Sequence, residues 1–198
     1  MNSSYQYKTP HSFEVSIDKI RFIGSCGPSL GKNLDWKDAL SATSAHSTLS
    51  LENTNAFTGL DVGQYAKTNR LKKNGSERLE LIHHGYKKRF GAVCFRTIEL
   101  SDDGTAIAGL DRVISLRKLD FAIRFHLSPN IQVSLSRDKM TALIRLNDKR
   151  GWDFRFTGFG ELNLFPSVYI NDQGEEKNSN QLVINGDINS NNNEIFWG

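Results

Sequence analysis

The sequence predicts an all-β chain: an antiparallel β-sandwich of two stacked sheets, with at most one short helix. Three observations carry this. Apolar and polar residues alternate with period two through most of the chain, turn residues punctuate the alternation at short intervals, and no stretch sustains helical periodicity. Phe13–Ile17 alternates, Asp18-Lys19 turns, and Ile20–Ile23 follows. Trp36–Leu40 is the one candidate helix, with Asp35 placed to cap it. Ser47–Leu51 alternates again, with Leu49 and Leu51 on one face. Further strands are expected at Leu79–His83, Ala92–Leu100, Ala106–Val113, Phe121–Leu127, Ile131–Leu135, Thr141–Leu146, Trp152–Phe156, Glu161–Tyr169 and Gln181–Ile184. Asp102-Asp103-Gly104 and Asn171–Gly174 are hairpin turns, and Ser128-Pro129-Asn130 separates two strands. Asn53–Asn74 is polar, carries Gly59 and Gly63, and is expected to be a loop. The asparagines of the last twenty or so residues suit exposed turns.

A length of 198 residues without a linker or internal repeat fits one domain over 1–198. The balance of 25 basic and 22 acidic residues, net +3, does not point to nucleic acid. The denser basic runs Arg70–Lys73 and Lys87–Arg89 would meet an anionic polymer or form a solvated face. Cys26 and Cys94 make neither a disulfide framework nor a thiolate zinc motif. No apolar run approaches a membrane span, and Met1–Tyr5 lacks the form of a signal peptide. A natural start at Met1 implies the cytoplasm; a fragment of a secreted parent implies the periplasm.

His46, at the head of its strand, and His83-His84, ahead of Gly85-Tyr86, are the candidates for proton transfer or metal binding. A zinc site would need His46, His83 and a carboxylate such as Asp61 to converge. His126 is expected inside the sandwich, and His11 lies near an end. Trp36, Phe57, Trp152 and Trp197 are candidates for stacking on sugars or for packing.

Several stretches taken in order resemble the C-terminal β domain of the heparinase II/III-like polysaccharide lyases. They include His11–Glu14, Gly24–Gly27, Ala42–Leu49, His83–Gly91, Ile107–Asp111, Phe121–Pro129, Gly151–Phe156, Ser167–Tyr169 and Gln181–Ile184. The resemblance implies a β-sandwich that follows an (α/α) toroid, and β-elimination of a uronic-acid polymer by the complete enzyme. It implies His46 as the histidine reaching into the cleft and His83 as its partner; the family's catalytic Tyr belongs to the toroid, and Tyr86, a proton-transfer candidate by residue type alone, reads more naturally as a core or edge aromatic. Lys87, Arg89 and Arg124 become the candidate substrate-binding cations. It implies an anionic polysaccharide and a separate helical toroid chain as partners, with neither nucleic acid nor membrane, and zinc as the one candidate cofactor. The chain departs from the family pattern at His84, Ser128, Cys94 and Phe95, where Asp, His, His and Arg are frequent. Two other classes stay open: a non-catalytic carbohydrate-binding or scaffold module, and a metal-dependent β-domain binding protein.

Overall fold

In a computed structural model, which describes residues 9–28, 34–57, 66–73, 75–146, 148, 150–191 and 193–198, the described residues form two antiparallel sheets. The first contains β1 (Val15–Ile17), β2 (Ile20–Gly24), β3 (Leu49–Leu51), β8 (Leu119–Leu127), β12 (Glu161–Ile170) and β13 (Glu176–Ile188). Its order is β1-β2-β8-β13-β12, with β3 also paired to β8. The second contains β4 (Ala66–Lys73), β5 (Ser76–His83), β6 (Val93–Leu100), β7 (Ile107–Ile114), β9 (Gln132–Leu135), β10 (Thr141–Arg145), β11 (Gly151–Thr157) and β14 (Glu194–Trp197). Its order is β4-β5-β6-β7-β14-β11-β10-β9, so the last strand in sequence sits in the middle.

Period-two alternation sets the two faces. On β8, Leu119, Phe121, Ile123, Phe125 and Leu127 are buried in the core between the sheets. Asp120, Ala122, Arg124 and His126 therefore take the opposite, outer face. Leu182 and Ile184 of β13 continue the core layer against Val113, Phe154, Phe156, Ile195 and Trp197 of the second sheet. Phe125 packs edge-on to both Phe154 and Trp197, with ring centroids 4.8 and 5.0 Å apart. Gly109 on β7 is opposite Trp197, and a Cβ there would overlap the indole ring. Gly109→Ala is therefore expected to destabilise the fold by about 1–3 kcal/mol through overpacking, as read by urea denaturation; an unchanged midpoint would show that the ring has room to move.

Among the described residues there are two short helices where at most one was expected, α1 (Leu34–Ser41) and α2 (Lys87–Phe90), together with a 3₁₀ turn at Thr43–Ala45. Asp35 falls inside α1 rather than at its cap. The second helix ends on Gly91 at φ +70°, the left-handed position that glycine occupies at least cost. Neither helix is long and apolar enough to cross a membrane, which holds for every helix among the described residues.

Two further sequence expectations change. The loop expected over 53–74 contains a full strand, β4, paired residue by residue with β5 from Ala66↔His83 to Lys73↔Ser76. Residues 67–72 are exposed throughout, so the backbone ladder forms without the one-sided burial that produces alternation. Of the asparagines read as turn residues, Asn178, Asn180 and Asn185 lie instead in β13 (Glu176–Ile188), while Asn189 and Asn191 fall in the connection to β14 as expected. Partners on both sides, β12 and β8, supply ladders that override the weak strand preference of asparagine.

Candidate functional site

The 3₁₀ turn delivers His46 to an isolated bridge with Ser25, at the edge of the first sheet. The imidazole is only 5% exposed, and its Nε2 lies 3.0 Å from the Leu40 carbonyl. A carbonyl only accepts, so Nε2 carries the proton. Burial lowers the pKa below the usual histidine value, which keeps this ring neutral. The next residues are held by their own hydroxyls. Ser47 donates to the Gly24 carbonyl at 2.6 Å and accepts from the His126 amide at 2.9 Å. Thr48 donates to the Pro10 carbonyl at 2.8 Å.

His126 is buried on the outer face of the first sheet rather than between the sheets, beneath the segment that carries the 3₁₀ turn. Its Nε2 donates to the Ser44 carbonyl at 2.9 Å, which leaves Nδ1 to accept from Ser167 at 3.0 Å. Cys26 Sγ lies 3.4 Å from the same nitrogen. Burial pulls the imidazole down to about 4 and pushes the thiol up, so this is a neutral pair and not a thiolate–imidazolium.

His83 belongs to the second sheet, where it pairs with Ala66 and Cys94. It is 2% exposed, and its ring neighbours are His11 at 4.9 Å, Tyr86 at 5.7 Å and Phe57 at 6.0 Å. Its Nδ1 accepts from the Gly85 amide at 3.3 Å. Burial, with His11 and Arg96 close by, holds it well below the usual histidine value. Tyr86 is also sealed; it donates to the Thr54 carbonyl at 3.1 Å, and burial pushes its phenol up, away from any exchange near neutral pH. The open cleft into which the resemblance brings His46, with His83 as its partner, is therefore not formed: both rings are buried, His46 in a bridge beside the first sheet and His83 in the second. Asp61, the carboxylate of the expected zinc set, lies outside the described residues. Among the described residues no cluster of three or more His, Cys, Asp or Glu could hold a metal ion.

The three cations have different settings. Lys87 and Arg89 are exposed on α2. Arg124 is half-buried on the outer face of β8, and its Nη1 donates to Ser50 Oγ at 2.6 Å. Among the described residues Arg124 has no carboxylate partner, and burial lowers its pKa. It lines an outer-face groove of about 410 Å³ with Asn53, Asp120, Phe165, Gln181, Val183 and Asn185. Sequence reasoning found Arg124 but not the groove. The missed signal is alternation in β8 and β13, which puts Asp120, Arg124, Gln181, Val183 and Asn185 on one face once the two strands pair. The aromatic stacking candidates are largely structural: Phe57 and Trp197 are buried, and Trp152 stacks on Phe22 at 5.4 Å.

Comparison with known proteins places this arrangement. A family model described as heparinase II/III-like, C-terminal, matches residues 10–198. A curated relative, FtsZ-localized protein C of Caulobacter vibrioides, is 26% identical over 203 residues, covering 90% of this chain and 34% of that protein. A heparan sulfate lyase from Pedobacter heparinus superposes with a TM-score of 0.79 at 14% identity, over 96% of this chain and 30% of that one. A heparinase III structure gives 0.75 at 15% identity, over 98% of this chain and 30% of the other. The chain thus spans about a third of the length of the proteins it matches, and the structural likeness is one of fold.

Proposed function

The chain belongs to the heparinase II/III-like family, as its C-terminal domain, and from that premise we propose that it forms one wall of a cleft in which a uronic-acid polysaccharide is cleaved by β-elimination. The wall is the outer face of the six-stranded sheet. One observation carries this reading: Arg124 is a half-buried guanidinium in an open groove, satisfied on the protein side by a hydroxyl and by no carboxylate among the described residues. A desolvated cation of this kind favours an anionic partner, and guanidinium geometry suits a carboxylate.

β-Elimination needs a base for the C5 proton, a group that steadies the developing enolate-like carboxylate, and an acid for the leaving oxygen. Arg124 has the charge for the second task. His46 is neutral and so keeps a basic nitrogen, but it is 5% exposed, and Tyr86 is sealed and held protonated. The chain alone is therefore expected to show little or no turnover, because the reacting groups are not gathered around one open position. Incubation with heparan sulfate or alginate, read by absorbance of the unsaturated product, checks this; robust turnover without a helical partner would overturn it. Arg124→Ala is expected to weaken binding of a uronate polymer about 10- to 100-fold, the scale of a hydrogen bond to a charged group. Calorimetric titration measures it, and unchanged affinity counts against the reading.

A second reading, a non-catalytic carbohydrate-binding or scaffold module, is favoured by the burial of His46 and Tyr86. It gains from the Caulobacter relative, whose name ties that protein to FtsZ and not to a polysaccharide. On this reading His46→Ala leaves both ligand binding and any activity restored by a helical partner intact.

A further inference from the structure

Cross-strand register gives the outer-face groove a direction. Asp120 is opposite Asp187, Ala122 opposite Asn185, Arg124 opposite Val183, and His126 opposite Gln181. The acidic pair therefore occupies one end and Arg124 with Gln181 the other. Four residues of strand separate Asp120 from Arg124, about 13 Å, room for more than one sugar ring. On the next strand Phe165 pairs with Gln181, which puts an aromatic ring, 45% exposed, at the cationic end.

The polar groups of the groove are incompletely used. Arg124 spends one N–H on Ser50, and its other N–H groups have no acceptor among the described residues. Gln181 donates to the Pro166 carbonyl at 3.2 Å, while its Oε1 is buried without a donor among the described residues. Asn185 accepts from Asn163 at 3.0 Å, and its own amide hydrogens have no acceptor among the described residues. Val183 and Ala122, both buried, make an apolar floor between these groups. An apolar floor, an exposed ring and a few convergent hydrogen-bonding groups are the composition of a small-ligand site. The ring suits the C–H face of a pyranose, and the amides suit its hydroxyls.

The far end carries the opposite charge. Asp187 is held by Lys118 at 2.7 Å, and Glu52 accepts from the Asp120 amide at 2.8 Å. Three carboxylates against one lysine repel a second anionic group there.

From this we infer that the groove is a directional saccharide subsite. One uronate ring binds with its carboxylate at Arg124 and its face on Phe165, and the adjoining ring, bearing hydroxyls and no anion, runs toward Asp120 and Asp187. The inference rests on the polysaccharide reading and deepens it, by naming the subsite and the charge pattern it accepts.

The test uses the 198-residue chain, a glucuronate-containing tetrasaccharide and its carboxyl-reduced counterpart, with affinities from calorimetry and contacts from NMR shift mapping. The wild type is expected to prefer the carboxylate form by about tenfold or more, with shifted amides on β8, β12 and β13. Arg124→Gln should abolish the preference while leaving the thermal midpoint in place, and Phe165→Ala should weaken both ligands to a similar degree. Asp120→Asn with Asp187→Asn should strengthen binding of the acidic ligand. If Arg124→Gln retains the preference, or if binding is lost only on Lys87→Ala with Arg89→Ala, the groove is not the subsite although the polysaccharide reading survives. Absence of binding to either ligand, with no shifts on the outer face, removes both. Should Arg124→Gln fail to fold, the wild-type shift map decides: perturbation confined to α2 overturns the inference.

Discussion

Asp111→Ala is expected to cost about 3–5 kcal/mol of stability, the toll of stripping one partner from a buried ion pair. Arg96 and Asp111 are each 2% exposed and face each other on β6 and β7. The guanidinium donates twice, Nε to Oδ1 at 2.8 Å and Nη2 to Oδ2 at 2.9 Å. Trp197 Nε1 adds a third bond to Asp111 Oδ2 at 2.8 Å. The remaining Arg96 nitrogen donates to the carbonyls of His11 at 2.9 Å and Ser47 at 3.1 Å, tying the segment beside His46 to the opposite sheet. Removing the carboxylate leaves an indole N–H without its acceptor and a buried guanidinium without a counter-charge, held by the His11 and Ser47 carbonyls and the rings of Phe13 and Trp197. By contrast, Arg78→Ala loses only exposed pairs with Glu80 and Glu99 and should cost about 1 kcal/mol or less. Urea denaturation of both variants measures the contrast; similar small losses would mean that the buried pair is not the tie described here.

Acid is expected to unfold this protein through its histidines, well above the pH at which its carboxylates are protonated. His11 and His126 are held down to about 4, and His46 and His83 are also lowered, in each case chiefly by burial. In the unfolded chain all four titrate near 6.5. Between those limits the unfolded state binds more protons than the folded one, so stability rises with pH across the window. The contribution is fully present above about 6.5 and is lost progressively as pH falls toward 4. For His126 alone the lowering from 6.5 to about 4 corresponds to roughly 3 kcal/mol. Urea midpoints at pH 7, 5.5 and 4.5 should fall steeply, and the His126 ring resonances should stay at their neutral positions down to pH 5. A flat stability profile would show that these rings are not sealed in solution.

The fold was legible because alternation is a direct imprint of one-sided burial, clearest where β8 buries every second residue in one core. It failed where that imprint is missing: β4 is exposed from residue 67 to residue 72, and the asparagines of β13 are strand residues because their neighbours supply the ladder. The candidate site was legible only in part. His46, His83 and Arg124 stand out by residue type, yet their meaning depends on which face each occupies and what covers it. His46 is covered through its hydrogen bond to Leu40, six residues away in sequence. The groove is assembled from β8, β12 and β13 with Asn53 beyond β3, segments far apart in the chain, and no local pattern spells out that register. Arg96 and Asp111 read as ordinary strand residues until the pairing of β6 with β7 sets one against the other.

The position of Glu194–Trp197 between β7 and β11 has a consequence for how the molecule is made. Until that short segment emerges from the ribosome, two half-sheets stand with raw edges and Asp111 lacks its indole partner. Assembly must therefore finish late, through pairings distant in sequence, and such closures are slow. An early stop a few codons upstream would release a chain with two sticky seams, fit for capture by chaperones or for clumping with its own kind.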